Sequence, residues 1–313
     1  MNTKLTKLLS ITYPVIQGGM AWVSDARLAA AVSAAGGAGI IAAGGRDADY
    51  VREQIRLAKQ LTKKPFGVNV QLMADNKDEV VDVICEEKPA FVTLGAGNPV
   101  PFFEKLNKAG IKKIPVVPSV KLAKRVEDSG ADAIVIEGME AGGHIGMLTT
   151  MALMTQVIPL ITIPVIVGGG FADGRGLAAA LVMGAAGIQM GTRFLIAEEC
   201  GVHPNVKQKL ISAVDTDSVV TGLISGHGVR GIKNAFTDRF LAMERQCTPQ
   251  DELNRLATGT NRLAAIDGDV DNGAVLAGQS LLPLQKIEPV AIIVNTIINE
   301  ARQVLANAPK LLS

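Results

Sequence analysis

The chain of 313 residues is poor in aromatic residues and carries almost no net charge. Only 4% of its residues are Phe, Trp or Tyr, whereas alanine and glycine are abundant. A net charge of +1 without a basic cluster argues against a nucleic-acid partner. The apolar runs are too short to span a bilayer, which predicts no membrane partner. The composition suits helices packed closely against a parallel sheet, because small residues allow close approach.

The residues that would carry chemistry without a cofactor are also missing. Cys85, Cys200 and Cys247 are scattered and odd in number, which predicts bystander thiols in a reducing cytoplasm and no metal site. There is no Walker-type loop and no Ser/His/Asp order typical of a hydrolase. The chemistry must therefore come from a bound cofactor, with the protein supplying one proton-transfer group.

Short apolar runs alternate with helical patterns over the first two thirds of the chain. Eight runs have the character of buried strands, at 15–17, 38–42, 66–70, 91–94, 114–117, 133–136, 164–167 and 187–190. This rhythm predicts an α/β fold, a TIM (β/α)8 barrel. A doubly wound sheet is the alternative, but it would bring a glycine fingerprint that opens a helix, and Gly36-Gly37-Ala38-Gly39 precedes a strand.

The rhythm changes after about Arg193, where helical patterns dominate. Patterns at 204–213, 237–246 and 289–306 predict the end of the barrel and a C-terminal helical insertion that acts as a lid. We place this helical subregion at about 195–285. No linker or repeat separates a second unit, so residues 1–313 are predicted to form a single domain.

The loop after the sixth strand is the richest in chemical groups. Residues 137–146 contain four glycines, two acids and one histidine. Glycine lets a backbone approach a ligand closely. A histidine among small residues after a buried strand is free to meet a substrate, so His144 is the predicted catalytic residue.

Glycine-rich turns also follow the seventh and eighth strands, as Gly168-Gly169-Gly170 and Gln189-Met190-Gly191-Thr192. Barrels frequently bind phosphate with these two loops, through backbone N–H groups and a helix N-terminus. The helix that begins at Gly174 is therefore expected to turn its positive end toward the phosphate. The alternative is that these glycines only make turns.

Three further strand ends carry polar groups suited to a planar ring and its polyol tail. They are Gly18-Gly19-Met20, Asn69 and Glu137. The alternatives are a turn-capping role for Asn69 and a solvated loop position for Glu137. His227 either lines the pocket from the insertion or has a structural role, and we favour the latter.

Many of these segments together resemble one family. Residues 13–23, 67–69, 95–99, 116–119, 137–151, 163–174 and 189–194 are similar to the FMN-dependent enoyl-acyl-carrier-protein reductase II (FabK type) of bacterial fatty acid biosynthesis. The resemblance continues through 267–270 and 277–279 near the C-terminus. The motif Glu140-Ala141-Gly142-Gly143-His144, with Gly191-Thr192-Arg193-Phe194, is shared with nitronate monooxygenases and does not choose between the two.

Smaller differences favour the reductase over the nitronate monooxygenase. The loop Gln17-Gly18-Gly19-Met20 lacks the proline that nitronate monooxygenases typically carry before the methionine, and 143–151 also resembles the reductase. One departure is Phe171, where the family usually has isoleucine.

The resemblance implies FMN as cofactor and NADH or NADPH as co-substrate. In the implied reaction, the dinucleotide reduces FMN in a first half-reaction, and the reduced FMN reduces a trans-2-enoyl thioester on acyl carrier protein in a second. His144 is expected to assist the second half-reaction. The alternative is FMN-dependent oxidation of alkyl nitronates. A cytoplasmic homodimer is implied as well. The residues expected to hold FMN are Gly18, Gly19, Met20, Asn69, Glu137, Gly142, Gly143, Gly168, Gly169, Gly170, Gln189, Met190, Gly191 and Thr192.

Overall fold

Eight parallel strands form the centre of the computed structural model, which describes residues 1–311. They are β1 (Val15–Gln17), β2 (Gly39–Ala42), β3 (Phe66–Gln71), β4 (Phe91–Gly95), β5 (Lys112–Val117), β6 (Ile134–Glu137), β8 (Val165–Gly168) and β9 (Gly187–Met190). Their spatial order is β1-β9-β8-β6-β5-β4-β3-β2, and a bridge between Ile16 and Ala38 completes the ring. The predicted TIM barrel is confirmed, and the doubly wound alternative is wrong.

Helices surround this barrel and continue beyond it. They are α1 (Lys4–Leu9), α2 (Ala26–Ala34), α3 (Ala48–Leu61), α4 (Lys77–Glu87), α5 (Phe103–Lys108), α6 (Val120–Asp128), α7 (Thr150–Val157), α8 (Gly174–Val182), α9 (Thr192–Leu195), α10 (Pro204–Ile211), α11 (Ala235–Arg245), α12 (Gln250–Ala257), α13 (Thr260–Ala265) and α14 (Val290–Asn307). Short 3-10 turns lie at Val100–Phe102, Ile158–Leu160 and Ala308–Leu311. Within residues 1–311, none of the helices combines the length and apolar character needed to cross a membrane.

A small antiparallel sheet lies outside the barrel. It joins β7 (Gly143–His144) to a hairpin of β10 (Ser218–Thr221) and β11 (Val229–Ile232), in the order β10-β11-β7. The subregion predicted as helical therefore contains two strands as well as α10 to α13. Sequence periodicity missed them because they lie outside the alternation of strands and helices that builds the barrel, and their third partner belongs to a distant loop.

The apolar core of the barrel forms two clusters, one inside the barrel and one outside its wall. Their positions leave space for a site at one end of the barrel. Within the barrel, one cluster of apolar side chains fills the interior, and α1 contributes Leu5 and Leu9 to it. A larger cluster packs the outer faces of the strands against the helices. Because the amino-terminal part of the interior is filled, space for a ligand remains at the carboxyl ends of the strands.

Close packing of α2 on the barrel generates a stability prediction. A Cβ built on Gly39 would overlap the carbonyl oxygen of Ala29 in α2, and backbone atoms cannot move aside cheaply. We expect Gly39→Ala to lower the free energy of unfolding by at least about 1–3 kcal/mol, the usual cost of overpacking. Urea denaturation measures this change. Gly95→Ala is the matched control, because its Cβ would find no atom nearer than 3.7 Å; equal effects of the two substitutions would contradict the packing.

Candidate active site

A cavity of about 830 Å³ opens at the carboxyl ends of the barrel strands. Most of the site residues predicted from the sequence line it: His144, Gly18, Gly19, Met20, Asn69, Glu137, Gly142, Gly143, Gly169, Gly170, Gln189, Met190, Gly191 and Thr192. Gly168, the last residue of β8, is the exception and is not among the lining residues. A Cβ built there would face Glu137 Oε2 at 3.6 Å.

A buried amide fixes the loop after β1. Gln17 is fully buried; its Oε1 accepts a hydrogen bond from Ile40 N–H at 3.1 Å, and its Nε2 donates to Ser24 Oγ at 3.0 Å. The same hydroxyl oxygen accepts from Met20 N–H at 2.9 Å. The sequence predicted no role for Gln17, although a glutamine inside an otherwise apolar strand was a signal, and it predicted Ser24 as the cap of α2, a position that Asp25 occupies. These bonds hold the Gly-Gly-Met backbone against the cavity.

Two polar side chains face the cavity from β3 and β6. Asn69 donates through Nδ2 to Thr93 Oγ1 at 3.0 Å, so it is a strand residue and not a turn cap. The Glu137 carboxyl has no hydrogen-bond partner within residues 1–311 and is partly buried at the end of β6. Burial raises the pKa of its carboxyl from 4.5 to about 7. The solvated position considered for Glu137 is therefore wrong.

The turns after β8 and β9 present backbone to the cavity. Gly169 and Gly170 have φ values of 95° and 81°, a left-handed conformation that glycine adopts without strain. At Gly191, an added Cβ would find nothing nearer than Met20 side-chain atoms at 3.7 Å. Exposed amides and this open space fit a phosphate group.

The helix α8 does not face this space, which corrects the expectation based on Gly174. Gly174 N–H donates to Glu300 Oε2 of α14 at 2.9 Å. Asp173 Oδ1 accepts from Arg175 and Gly176 N–H at 3.0 and 3.2 Å. The free amides of the first turn are thus satisfied by side chains. The sequence does not reveal this arrangement, because Glu300 reaches α8 from a helix far along the chain.

The catalytic candidate is held by the small sheet. His144 pairs with Val229, and the next residue, Ile145, donates its N–H to the carbonyl of Gly228 at 3.0 Å. The imidazole is open to the cavity. Desolvation, with a smaller contribution from nearby His227, lowers its pKa below 6.5. His144 is therefore predominantly neutral at pH 7.

Arg230 secures the histidine loop and had no role in the sequence-based predictions. It is 4% exposed, its Nε donates to the Met139 carbonyl at 2.9 Å, and its Nη1 donates to Ser218 Oγ at 2.9 Å. The signal in the sequence that could have indicated this role was an arginine within a short segment that contains glycine. His227 does not line the cavity; its Nδ1 lies 3.0 Å from the Ser225 carbonyl oxygen, in agreement with the structural interpretation.

The opposite side of this loop is secured through Glu140. Its Oε2 accepts hydrogen bonds from the backbone and hydroxyl of Thr150, both at 2.8 Å, and its carbonyl accepts from Gln279 N–H at 3.0 Å. Within residues 1–311, no group of three or more His, Cys, Asp or Glu side chains could hold a metal ion. The cavity thus combines backbone amides, one high-pKa carboxyl and one neutral imidazole, which suits a bound cofactor and one proton-transfer group.

Comparisons with known proteins agree with this geometry. The family model for nitronate monooxygenase matches residues 2–80 and 70–300. A probable nitronate monooxygenase of Staphylococcus aureus (strain JH9) is 33% identical, over 97% of this chain and 98% of that protein. The (3aS,4S,5R,7aS)-5-hydroxy-7a-methyl-1-oxo-octahydro-1H-indene-4-carboxyl-CoA dehydrogenase of Rhodococcus jostii (strain RHA1) is 39% identical over 72% of this chain, and the match spans 64% of that relative.

A solved structure is also similar over nearly the whole chain. FabK from Thermotoga maritima superposes with a TM-score of 0.96 at 43% identity and covers 99% of both chains. The fold, the site and these similarities define a flavin-dependent oxidoreductase. The chain belongs to the nitronate monooxygenase family. The resemblance to FabK-type enzymes of this superfamily is confirmed.

The raised pKa of Glu137 predicts pH-dependent stability of the flavin-free protein. A carboxyl with a pKa of about 7 in the folded state, against 4.5 normally, binds its proton more tightly when folded. The folded state therefore loses stability as the pH rises through this window. Above about pH 7 we expect the free energy of unfolding of Glu137→Gln to exceed that of the unmodified protein by about 1–3 kcal/mol. Near pH 4 this difference should vanish. Urea unfolding across this range measures it, and a pH-independent difference would contradict the assignment.

Proposed function

We propose that the protein is an FMN-dependent enoyl-acyl-carrier-protein reductase. It reduces trans-2-enoyl thioesters on acyl carrier protein to acyl thioesters, with NADH or NADPH, in bacterial fatty acid biosynthesis. The observation that carries the proposal is the similarity to Thermotoga maritima FabK, which is 43% identical over 99% of both chains. The similarity to the Staphylococcus aureus relative is lower, at 33%. The same resemblance supports a cytoplasmic homodimer.

The proposed FMN site divides the cavity into two parts. Its phosphate would lie against the backbone of the turns after β8 and β9, where open space and glycine conformations support this placement. Its ring and polyol chain would lie along the loop after β1 and along the strand ends whose side chains face the cavity. The phosphate residues are Gly169, Gly170, Gly191 and Thr192; the others are Gly18, Gly19, Met20, Asn69, Glu137, Gly142, Gly143, Gln189 and Met190. Gly168, the last residue of β8, directly precedes the phosphate turn and stays part of the proposed site.

FMN held by these residues would supply hydride transfer from the reduced dinucleotide to the β-carbon of the enoyl thioester. The chain provides the complementary proton chemistry, because saturating the double bond also requires a proton at the α-carbon. A neutral His144 N–H can hydrogen-bond the thioester carbonyl and stabilise the enolate charge that develops there; a protonated His144 can donate the proton itself. Such assistance typically contributes about 10²–10⁴-fold.

Nitronate monooxygenase activity is the second candidate, favoured by the family model and by the Staphylococcus aureus relative. Two steady-state assays on the flavin-loaded protein separate the candidates. The reductase proposal expects dinucleotide oxidation that depends on a crotonyl thioester, with little oxygen uptake on addition of an alkyl nitronate. Nitronate-driven oxygen uptake without thioester-dependent dinucleotide oxidation would overturn the proposal.

The space beside Gly191 predicts selective loss of cofactor. Gly191→Val places a branched side chain where the proposed phosphate approaches the backbone, while the nearest protein atoms at 3.7 Å leave room for its Cβ. We expect loss of FMN to exceed loss of fold. Chromatography of the extracted flavin measures the first, and circular dichroism with thermal unfolding of the flavin-free protein measures the second. A variant with native fold and full FMN content would contradict the proposed phosphate site.

The proposed role of His144 predicts a separation of the two half-reactions. His144→Ala should leave FMN bound and its reduction by dinucleotide nearly intact. Transfer to the enoyl thioester should slow by about 10²–10⁴-fold because the proton donor or carbonyl partner is lost. Stopped-flow absorbance measures each step. His227→Ala is the matched control, since His227 lies beside His144 but does not line the cavity; equal slowing in both variants would remove His144 from the chemistry.

A further inference from the structure

One side of the cavity is built from the C-terminal subregion and is almost entirely apolar. Of the cavity-lining residues between 195 and 278, only Asn261 has a polar side chain and none is charged. We call this side the apolar arm, and define it by Leu195, Val202, Val206, Ala264, Ala265 and Leu276.

The parts of the apolar arm are joined by direct contacts. His203 N–H, at the start of α10, donates to the Ala265 carbonyl at 2.9 Å. Ala274 N–H donates to the Thr260 carbonyl at 2.9 Å, which fixes the segment before Leu276 against α13. The arm is thus one continuous wall made by α10, α13 and the segment 273–276.

The inner end of the apolar arm lies beside the histidine loop. Leu276 Cδ1 is 3.9 Å from a Cβ built on Gly143, the residue before His144. Gly142 packs against the backbone of Ala277, so this end is fixed relative to the loop. A ligand whose reacting carbons are next to His144 can therefore extend away from them along the arm.

We propose that the apolar arm binds the acyl chain of the substrate and that Ala265 limits the chain length accepted. This inference rests on the proposed reductase function. A hydrocarbon chain suits the arm because it needs no hydrogen-bond partner, whereas buried ribose or phosphate groups would lose partners at considerable cost. Methylene groups gain binding energy from such burial in proportion to the area removed from water.

Ala265 is the position at which the length limit is most directly tested. It is buried, lines the cavity from the last turn of α13, and has the smallest side chain that carries a Cβ. A larger side chain at 265 is therefore expected to occupy space in the apolar arm.

The first experiment compares Ala265→Leu with the unmodified flavin-loaded enzyme on 2-butenoyl-, 2-octenoyl- and 2-dodecenoyl-CoA. We expect kcat/KM for the dodecenoyl substrate to fall by at least about 10-fold, and that for the butenoyl substrate to change by less than about 2-fold. Ala213→Leu is the matched control: Ala213 is buried in the same subregion but does not line the cavity. Ala213→Leu should leave the ratio of the kcat/KM values for the long and short substrates unchanged. A uniform change for all lengths in Ala265→Leu would overturn the proposal.

The second experiment measures binding without turnover. Calorimetry with saturated lauroyl-CoA and butyryl-CoA should show tighter binding of the longer chain to the unmodified protein, and loss of this preference in Ala265→Leu. If the unmodified protein bound lauroyl-CoA and butyryl-CoA with equal affinity, the apolar arm would not be an acyl-chain site, even if the protein reduces enoyl thioesters. If the protein instead bound the longer chain more tightly but reduced no enoyl thioester, the apolar arm would remain an acyl-chain site and the reductase function would be overturned.

Discussion

The site depends on one strand pairing outside the barrel. Only two residues, Gly143 and His144, form the edge strand β7, and its hydrogen bonds to β11 fix where the imidazole lies. A pairing this short is not stable by itself. Arg230 adds bonds to the Met139 carbonyl on one side, and Glu140 adds bonds to Thr150 and Gln279 on the other. The hairpin from the C-terminal subregion therefore supports the catalytic candidate.

Desolvation shifts the pKa values of two cavity residues, Glu137 and His144, in opposite directions and favours the uncharged form of each. It raises the pKa of Glu137 to about 7 and lowers that of His144. The lining of the apolar arm carries no charge either. A weakly polar cavity strengthens hydrogen bonds made inside it, because the effective dielectric constant is low. This setting suits stabilisation of an enolate by a neutral donor.

The barrel could be predicted from the sequence, and most of the predicted site residues line the cavity, because both follow from local patterns. Buried strands appear as short apolar runs, and the residues just after them meet at one end of a parallel barrel. The hairpin β10–β11, the clamp by Arg230 and the capping of Gly174 by Glu300 depend instead on partners far apart in the chain. Local patterns contain no information about such pairings.

The most direct test of the account follows a single turnover in the absence of oxygen. The flavin of the purified protein is first reduced with one equivalent of NADH or NADPH and is then mixed with an enoyl thioester in a stopped-flow instrument. The account predicts rapid return of the oxidised flavin absorbance, with one equivalent of saturated acyl thioester formed. Reduced flavin that persists with enoyl thioester but reoxidises on admission of oxygen would contradict the reductase function.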